Sequence, residues 1–152
     1  MIRVAEQAEC YDEMLELILP IVKLKTLSLD NDERTLFAVA CKNYVSKERT
    51  TFRTIKAIMG FLTYRNKRDV LIEYQFEVAR RYDTQCMKIV DLIDQFVLEP
   101  EKENKKPNLE GLAFFLKLKA DFYRYICESA DDVRLTELKV LAKKTYLAAN
   151  EI

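Results

Sequence analysis

Between Ile21 and Glu99 the chain has no proline and a single glycine, Gly60. A stretch that long without residues that break or turn the backbone cannot fold as a succession of short strands; it reads as long helices joined by short polar links. The whole 152-residue chain has two Gly and three Pro, where ordinary usage would give roughly eighteen such residues. A β-rich, turn-dense fold is thereby excluded. The fold class is all-α, an antiparallel helical array forming a single domain over residues 1–152. Hydrophobic periodicity predicts helices at about 2–9, 12–24, 32–63, 67–98, 108–128 and 131–150. Asp30, Asn31, Asp32 and Glu33 make a capped start with acids where the helix dipole favours them. The segment from Glu99 to Pro107, charged and bracketed by prolines, reads as a loop. No internal repeat or low-complexity segment is evident.

Composition narrows the chemistry. With no histidine there is no imidazole base, no Ser-His-Asp partner and no imidazole metal ligand. Cys10, Cys41, Cys86 and Cys127 are widely spread with no CxxC pair, which does not match zinc-ligand spacing and reads as free thiols. No carboxylate pair has a spacing that favours acid–base work over ion pairing, so the expectation is a protein that is not an enzyme, with no cofactor and no metal. Lys plus Arg and Asp plus Glu number 25 each, so no net field drives nucleic-acid or membrane binding. The opening residues lack a signal-peptide apolar core and no apolar run reaches membrane-spanning length, which points to a cytoplasmic protein.

The third predicted helix carries the most information. At 100° per residue, Lys42, Arg49, Arg53 and Lys56 fall within an arc of about 60° and make a basic stripe. Its opposite arc, Phe37, Ala40, Cys41, Tyr44, Phe52, Ile55, Ile58, Met59 and Leu62, faces a core, and Glu48 lies away from the stripe. These cations have no acid on their own face. The alternatives are pairing with acids of a neighbouring helix, a track for a nucleic-acid backbone, or a pocket for a discrete anion. A second basic-aromatic group runs from Phe114 to Tyr125. There Lys117 and Arg124 share a face, with Asp121 between them and Glu128 one turn beyond, spaced for i,i+4 pairing. Phe115, Leu118, Phe122 and Ile126 form the core stripe of that helix. Periodicity does not decide whether Arg124 comes beside Arg49.

Three collinear runs resemble a known family. Ala5-Glu6-Gln7-Ala8-Glu9-Cys10-Tyr11-Asp12-Glu13-Met14 resembles the opening AEQAERYDEM of 14-3-3 proteins. The run from Glu33 to Val45 is similar to that family's ERNLLSVAYKNV, and the run from Phe115 to Glu128 to its YLKMKGDYYRYLAE. The resemblance covers nearly the whole chain but only the first six of the family's nine helices. It implies a phosphoserine/phosphothreonine-peptide-binding adaptor whose phosphate contacts are Lys42, Arg49, Arg124 and Tyr125, with Lys117 and Arg53 accessory. The partners implied are phosphorylated protein clients and a second copy of the chain, in a homodimer or other homo-oligomer whose contact includes Val4, Ala8, Thr51 and Tyr74; neither nucleic acid nor a membrane is implied. A divergent helical interaction protein without phosphate affinity is the alternative.

Departures from the family pattern carry expectations of their own. Cys10 and Arg81 stand where the family has an Arg and a Glu that pair across the dimer, and Glu13 and Glu77 where an acid and a Lys would meet. Together with a shortened start, these changes imply a weaker or rearranged dimer, in which Glu13 has Arg81 as an alternative partner. The family's last helices have no counterpart here. Val133 to Ile152 reads as an amphipathic helix with Leu138, Leu141, Ala142, Thr145 and Ala149 toward one side, leaving apolar surface bare on the fifth and sixth helices. The 152 residues are therefore expected to be part of a longer protein, or covered by another chain, and to bind phosphopeptide weakly alone.

Overall fold

The structure is a computed structural model that describes residues 1–152, apart from the side chain of Leu62, so the assignment of Leu62 to the core face lies outside the described residues. Six main helices follow one another: α1 (Ile2–Gln7), α2 (Tyr11–Lys25), α3 (Asn31–Ile58), α4 (Arg68–Ile93), α5 (Leu109–Ile126) and α6 (Asp132–Asn150). There is no strand among the described residues.

Local chemistry sets where the helices start. Asp30 accepts from the Glu33 amide at 2.9 Å while the Glu33 carboxylate accepts from the Asp30 amide at 3.0 Å, a reciprocal capping box that opens α3. Asn108 caps α5 through the Gly111 amide and Asp131 caps α6 through the Arg134 amide, each at 3.0 Å. The predicted helix over 32–63 stops at Ile58, because the chain turns at Met59 and Gly60 and then runs through a 3₁₀ segment, Leu62–Lys67. At the other end of α4 the reverse holds. The backbone continues past Ile93 through a π-turn, Asp94–Leu98, and a short helical piece, Glu99–Glu101, so the loop begins later than the prolines suggest. Pro100 sits in the first turn of that piece, where a missing amide hydrogen costs nothing.

One segment between helices is conformationally strained. Thr26 closes α2 at φ 46° and ψ −117°, a region ordinarily left to glycine. Its hydroxyl donates to the Glu101 carboxylate, and Leu27 and Leu29 beside it are fully buried. Gly111 packs directly on this segment: a Cβ there would stand 2.1 Å from the Leu27 carbonyl oxygen. Only glycine lets the start of α5 come that close.

The core joins Met14, Ile18 and Val22 of α2, Phe37, Cys41 and Val45 of α3, Tyr82, Ile89 and Ile93 of α4, and Phe115, Leu118, Phe122 and Ile126 of α5. A smaller cluster, Phe52, Ile55 and Val78, holds the far end of the α3–α4 hairpin together. On α6 Leu138 and Ala142 are buried, while Leu141, grouped with them on one side by the periodicity, is exposed. Tyr146 points inward in its stead, its hydroxyl donating to Asp121, which turns the Leu141 edge of the helix outward. Val133, Val140 and Leu147, seven residues apart and hence on one side of α6, are exposed as well, whereas α5 exposes only Leu109 among its large apolar residues. Bare apolar surface thus lies on α6 and hardly at all on α5.

Side-chain pairs fix the directions. Glu48 meets Arg81 and Tyr44 meets Lys88, so α3 and α4 are antiparallel. Asp94 meets Lys119 and Asp83 meets Arg134, so the chain past α4 is antiparallel as well. Consequently α3 and α5 run parallel, in register from Arg34 with Glu110 through Phe37 with Phe115 to Arg49 with Glu128. None of the described helices is long and apolar enough to cross a membrane.

Candidate anion-binding site

The parallel register brings the middle of α3 to the end of α5. Tyr125, only 9% exposed, has two cations at its ring: the Arg49 guanidinium carbon is 4.8 Å from the ring centroid and that of Arg124 is 4.7 Å. Aromatic contact at this range favours a guanidinium while leaving its edge donors free for a ligand. Arg49 and Arg124, far apart in sequence, therefore share one platform, a juxtaposition that helical periodicity could not supply.

Each cation has an acidic neighbour. Arg49 donates through Nε and Nη2 to the two carboxylate oxygens of Glu128, at 2.9 and 2.6 Å. This bidentate bond is the main cause that raises the Arg49 pKa above its ordinary value. Glu128 does not serve as the i,i+4 partner of Arg124, as its spacing predicts. The helix ends at Ile126, and Glu128 lies in the following turn, its amide bonded to the Tyr125 carbonyl, so its side chain swings across to α3. Arg124 instead lies 3.8 Å from Asp121, which is also 3.8 Å from Lys117. Asp121 is buried and accepts the Tyr146 hydroxyl at 2.5 Å. That same hydroxyl is the leading cause of the raised Arg124 pKa, while burial, and after it the bond to Asp121, pushes the Tyr146 phenol upward. Both arginines are protonated at neutral pH whatever these shifts, so the neighbours act on where the forks point.

The remaining stripe residues stand more openly. Lys42, two turns before Arg49, is exposed and makes no ion pair among the described residues. Arg53 and Lys56 are exposed and line an open cavity of about 470 Å³ together with Arg49, Phe52, Ala57 and Glu128. Of the four stripe cations, only Arg49 pairs with a neighbouring element among the described residues. Spacing assigns Glu128 to the wrong partner, and one member of the site, Tyr146, escaped the sequence reading. Tyr146 left one usable trace, an aromatic residue among the lysines and alanines of α6.

Comparison with known proteins fits this geometry. The family model described as "14-3-3 protein" matches residues 1–152. The chain belongs to the 14-3-3 family. Similar relatives are 14-3-3 protein beta/alpha-A and 14-3-3 protein beta/alpha-B of Xenopus laevis, each 33% identical over 151 residues. The match takes in 99% of this 14-3-3 chain and 59% of each relative's length.

The positions that the family places in its dimer contact are open in this 14-3-3 chain. Val4 is 63% exposed, Ala8 and Tyr74 are exposed, and Thr51 is half-buried. Phe61 and Val70, at the same end of the α3–α4 hairpin, are exposed too. Arg81 already has partners within the chain, Glu48 at 3.1 Å and Glu77 at 3.8 Å, and Glu77 also holds Arg80 at 2.8 Å. Both substituted charges are satisfied internally.

Proposed function

We propose that this 14-3-3 chain is an adaptor that binds phosphoserine and phosphothreonine segments of client proteins at the platform formed by Arg49, Arg124 and Tyr125. One observation carries the reading: two guanidiniums from separate helices contact a single tyrosine ring. Planar forks suit the oxygens of a phosphate, and the Tyr125 hydroxyl adds a neutral donor. Lys42 supplies a further cation from α3, with Lys117 and Arg53 as accessory charges at the margins. The arrangement presents a cluster of cationic donors suited to holding an anion, so the reading is one of binding.

Hydrogen bonds to charged groups contribute about 1.5 to 3 kcal/mol each, and charge reversal adds repulsion. Arg49→Glu and Arg124→Glu are therefore expected to abolish binding of a fluorescently labelled phosphoserine peptide in an anisotropy titration, with helicity unchanged by circular dichroism. Equal affinity for the unphosphorylated peptide would show a helical interaction protein without phosphate recognition. A steep salt dependence with no phosphopeptide preference would show a nucleic-acid track along the α3 stripe.

The same reading takes the chain as a cytoplasmic protein that self-associates through α1, α3 and α4, around Val4, Ala8, Thr51 and Tyr74. The internal pairing of Arg81 and Glu77 removes ion pairs from that contact, so the dimer is weak. Sedimentation equilibrium over a hundredfold concentration range reads this directly. A dimer persisting at nanomolar concentration contradicts it.

A further inference from the structure

The bidentate bond between Arg49 and Glu128 gives the platform a resident carboxylate. We infer that Glu128 is an internal counter-anion of the pocket, one that limits how tightly a phosphorylated segment is held; the inference rests on the phosphopeptide reading above. The Arg49 fork has two usable edges. Glu128 occupies the edge made by Nε and Nη2, so an incoming phosphate either takes the Nη1 side with a carboxylate nearby or displaces Glu128. Both routes cost affinity.

The carboxylate is poorly placed for solvent to cancel its charge. Its side chain retains 28% of its exposure and that of Arg49 retains 32%, so the pair lies at the wall of the site and not out in water. Arg53 and Lys56 border the same cavity, yet among the described residues Arg49 is the only cation within ion-pair distance of Glu128. Asp121, the other acid of the platform, is engaged by Tyr146 and lies farther from its cations, at 3.8 Å. Glu128 is thus the acid that most directly competes with a ligand.

Electrostatics gives the effect a signature. Repulsion from one carboxylate scales with ligand charge, so removing it helps a phosphate dianion about twice as much, in free energy, as a singly charged carboxylate. If Glu128→Gln raises the affinity of a glutamate-containing peptide about threefold, the phosphoserine version gains about tenfold. A residue that merely props up the fold would move both equally. Glutamine keeps the shape and one acceptor for the Arg49 fork.

The test measures Glu128→Gln and wild type by anisotropy with phosphoserine and glutamate versions of one peptide. Glu99→Gln serves as a control, since among the described residues Glu99 pairs only with the exposed Lys102 away from the site. The expected result is a gain for Glu128→Gln, larger for the phosphoserine peptide, and none for the control. In parallel, the Arg49 Nε–H resonance is titrated with free phosphoserine, and Glu128→Gln should reach half-saturation at about tenfold lower concentration. An unchanged or weaker midpoint means that Glu128 positions Arg49 and does not compete, which overturns the inference. If wild type shows no preference for phosphorylated peptide, the adaptor reading fails, while the Arg49 titration still decides the role of Glu128.

Discussion

Gly111→Ala tests how α5, and with it half of the candidate site, is seated. The added Cβ would stand 2.1 Å from the Leu27 carbonyl oxygen, 3.0 Å from its carbon and 3.2 Å from the Leu27 Cα. Non-bonded atoms are most comfortable at about 3.5 Å, so the start of α5 would have to retreat by roughly 1.4 Å. The obstacle is backbone and cannot rotate away. It is also held from behind, because Leu27 and Leu29 are buried and Thr26 is tied to Glu101. Overpacking of this kind costs about 1 to 3 kcal/mol and sometimes more. Alanine recovers about 1 kcal/mol of helix propensity, leaving a net loss of about 2 kcal/mol at a site this rigid. With a urea m-value of about 2 kcal/mol/M, the unfolding midpoint should fall by about 1 M at unchanged slope. A midpoint equal to or above that of wild type would refute the close approach, since an unobstructed Gly→Ala change inside a helix stabilises.

Two further outcomes follow from burial and charge. Burial pushes the Cys41 and Cys86 thiols up, more strongly than that of Cys127, so a thiol reagent at pH 8 should label Cys10 and Cys127 quickly and the other two only after denaturant is added; prompt labelling of all four would contradict the packing of α3 on α4. The Thr26 hydroxyl, followed by the Asn104 amide, lowers the Glu101 pKa. These bonds favour the charged form, so their contribution is present above the unfolded carboxylate pKa and is lost as pH falls through the folded value. Thr26→Val should move the Glu101 titration, followed by carboxyl NMR, back up toward 4.5, and an unmoved titration would mean that Thr26 is not its donor.

The sequence revealed the helices readily, because helix identity depends on local pattern. Phe115, Leu118, Phe122 and Ile126 all proved buried, and the acidic start before α3 is a complete capping box. Failures came where a tertiary contact decided. Val45 belongs to the core although it lay off the predicted stripe, and Arg34 and Glu48 are buried because each has a partner on another helix. The meeting of Arg49 with Arg124 depends on the length of α4 and on two connections that return the chain parallel to α3. No window of periodicity contains that information. The family resemblance did contain it, since it nominated Arg49, Arg124 and Tyr125 together.

What neither the periodicity nor the resemblance conveyed is that each arginine of the platform has an acid beside it before any ligand arrives. Arg49 faces Glu128 and Arg124 lies beside Asp121, two cations against two acids, and the acids are the better-buried members of their ion pairs. A pocket built from cations alone would attract any anion and would repel itself in the empty protein. With Glu128 on one fork and Asp121 beside the other, the empty site is stable, and its guanidiniums are already pointed and held against Tyr125. The acids reduce the net attraction left for a ligand, so a weakly charged group gains less than a doubly charged one. On the proposed function, affinity is traded for a preformed geometry, and Glu128 would set the terms of that trade because its carboxylate occupies the Nε and Nη2 donors of Arg49.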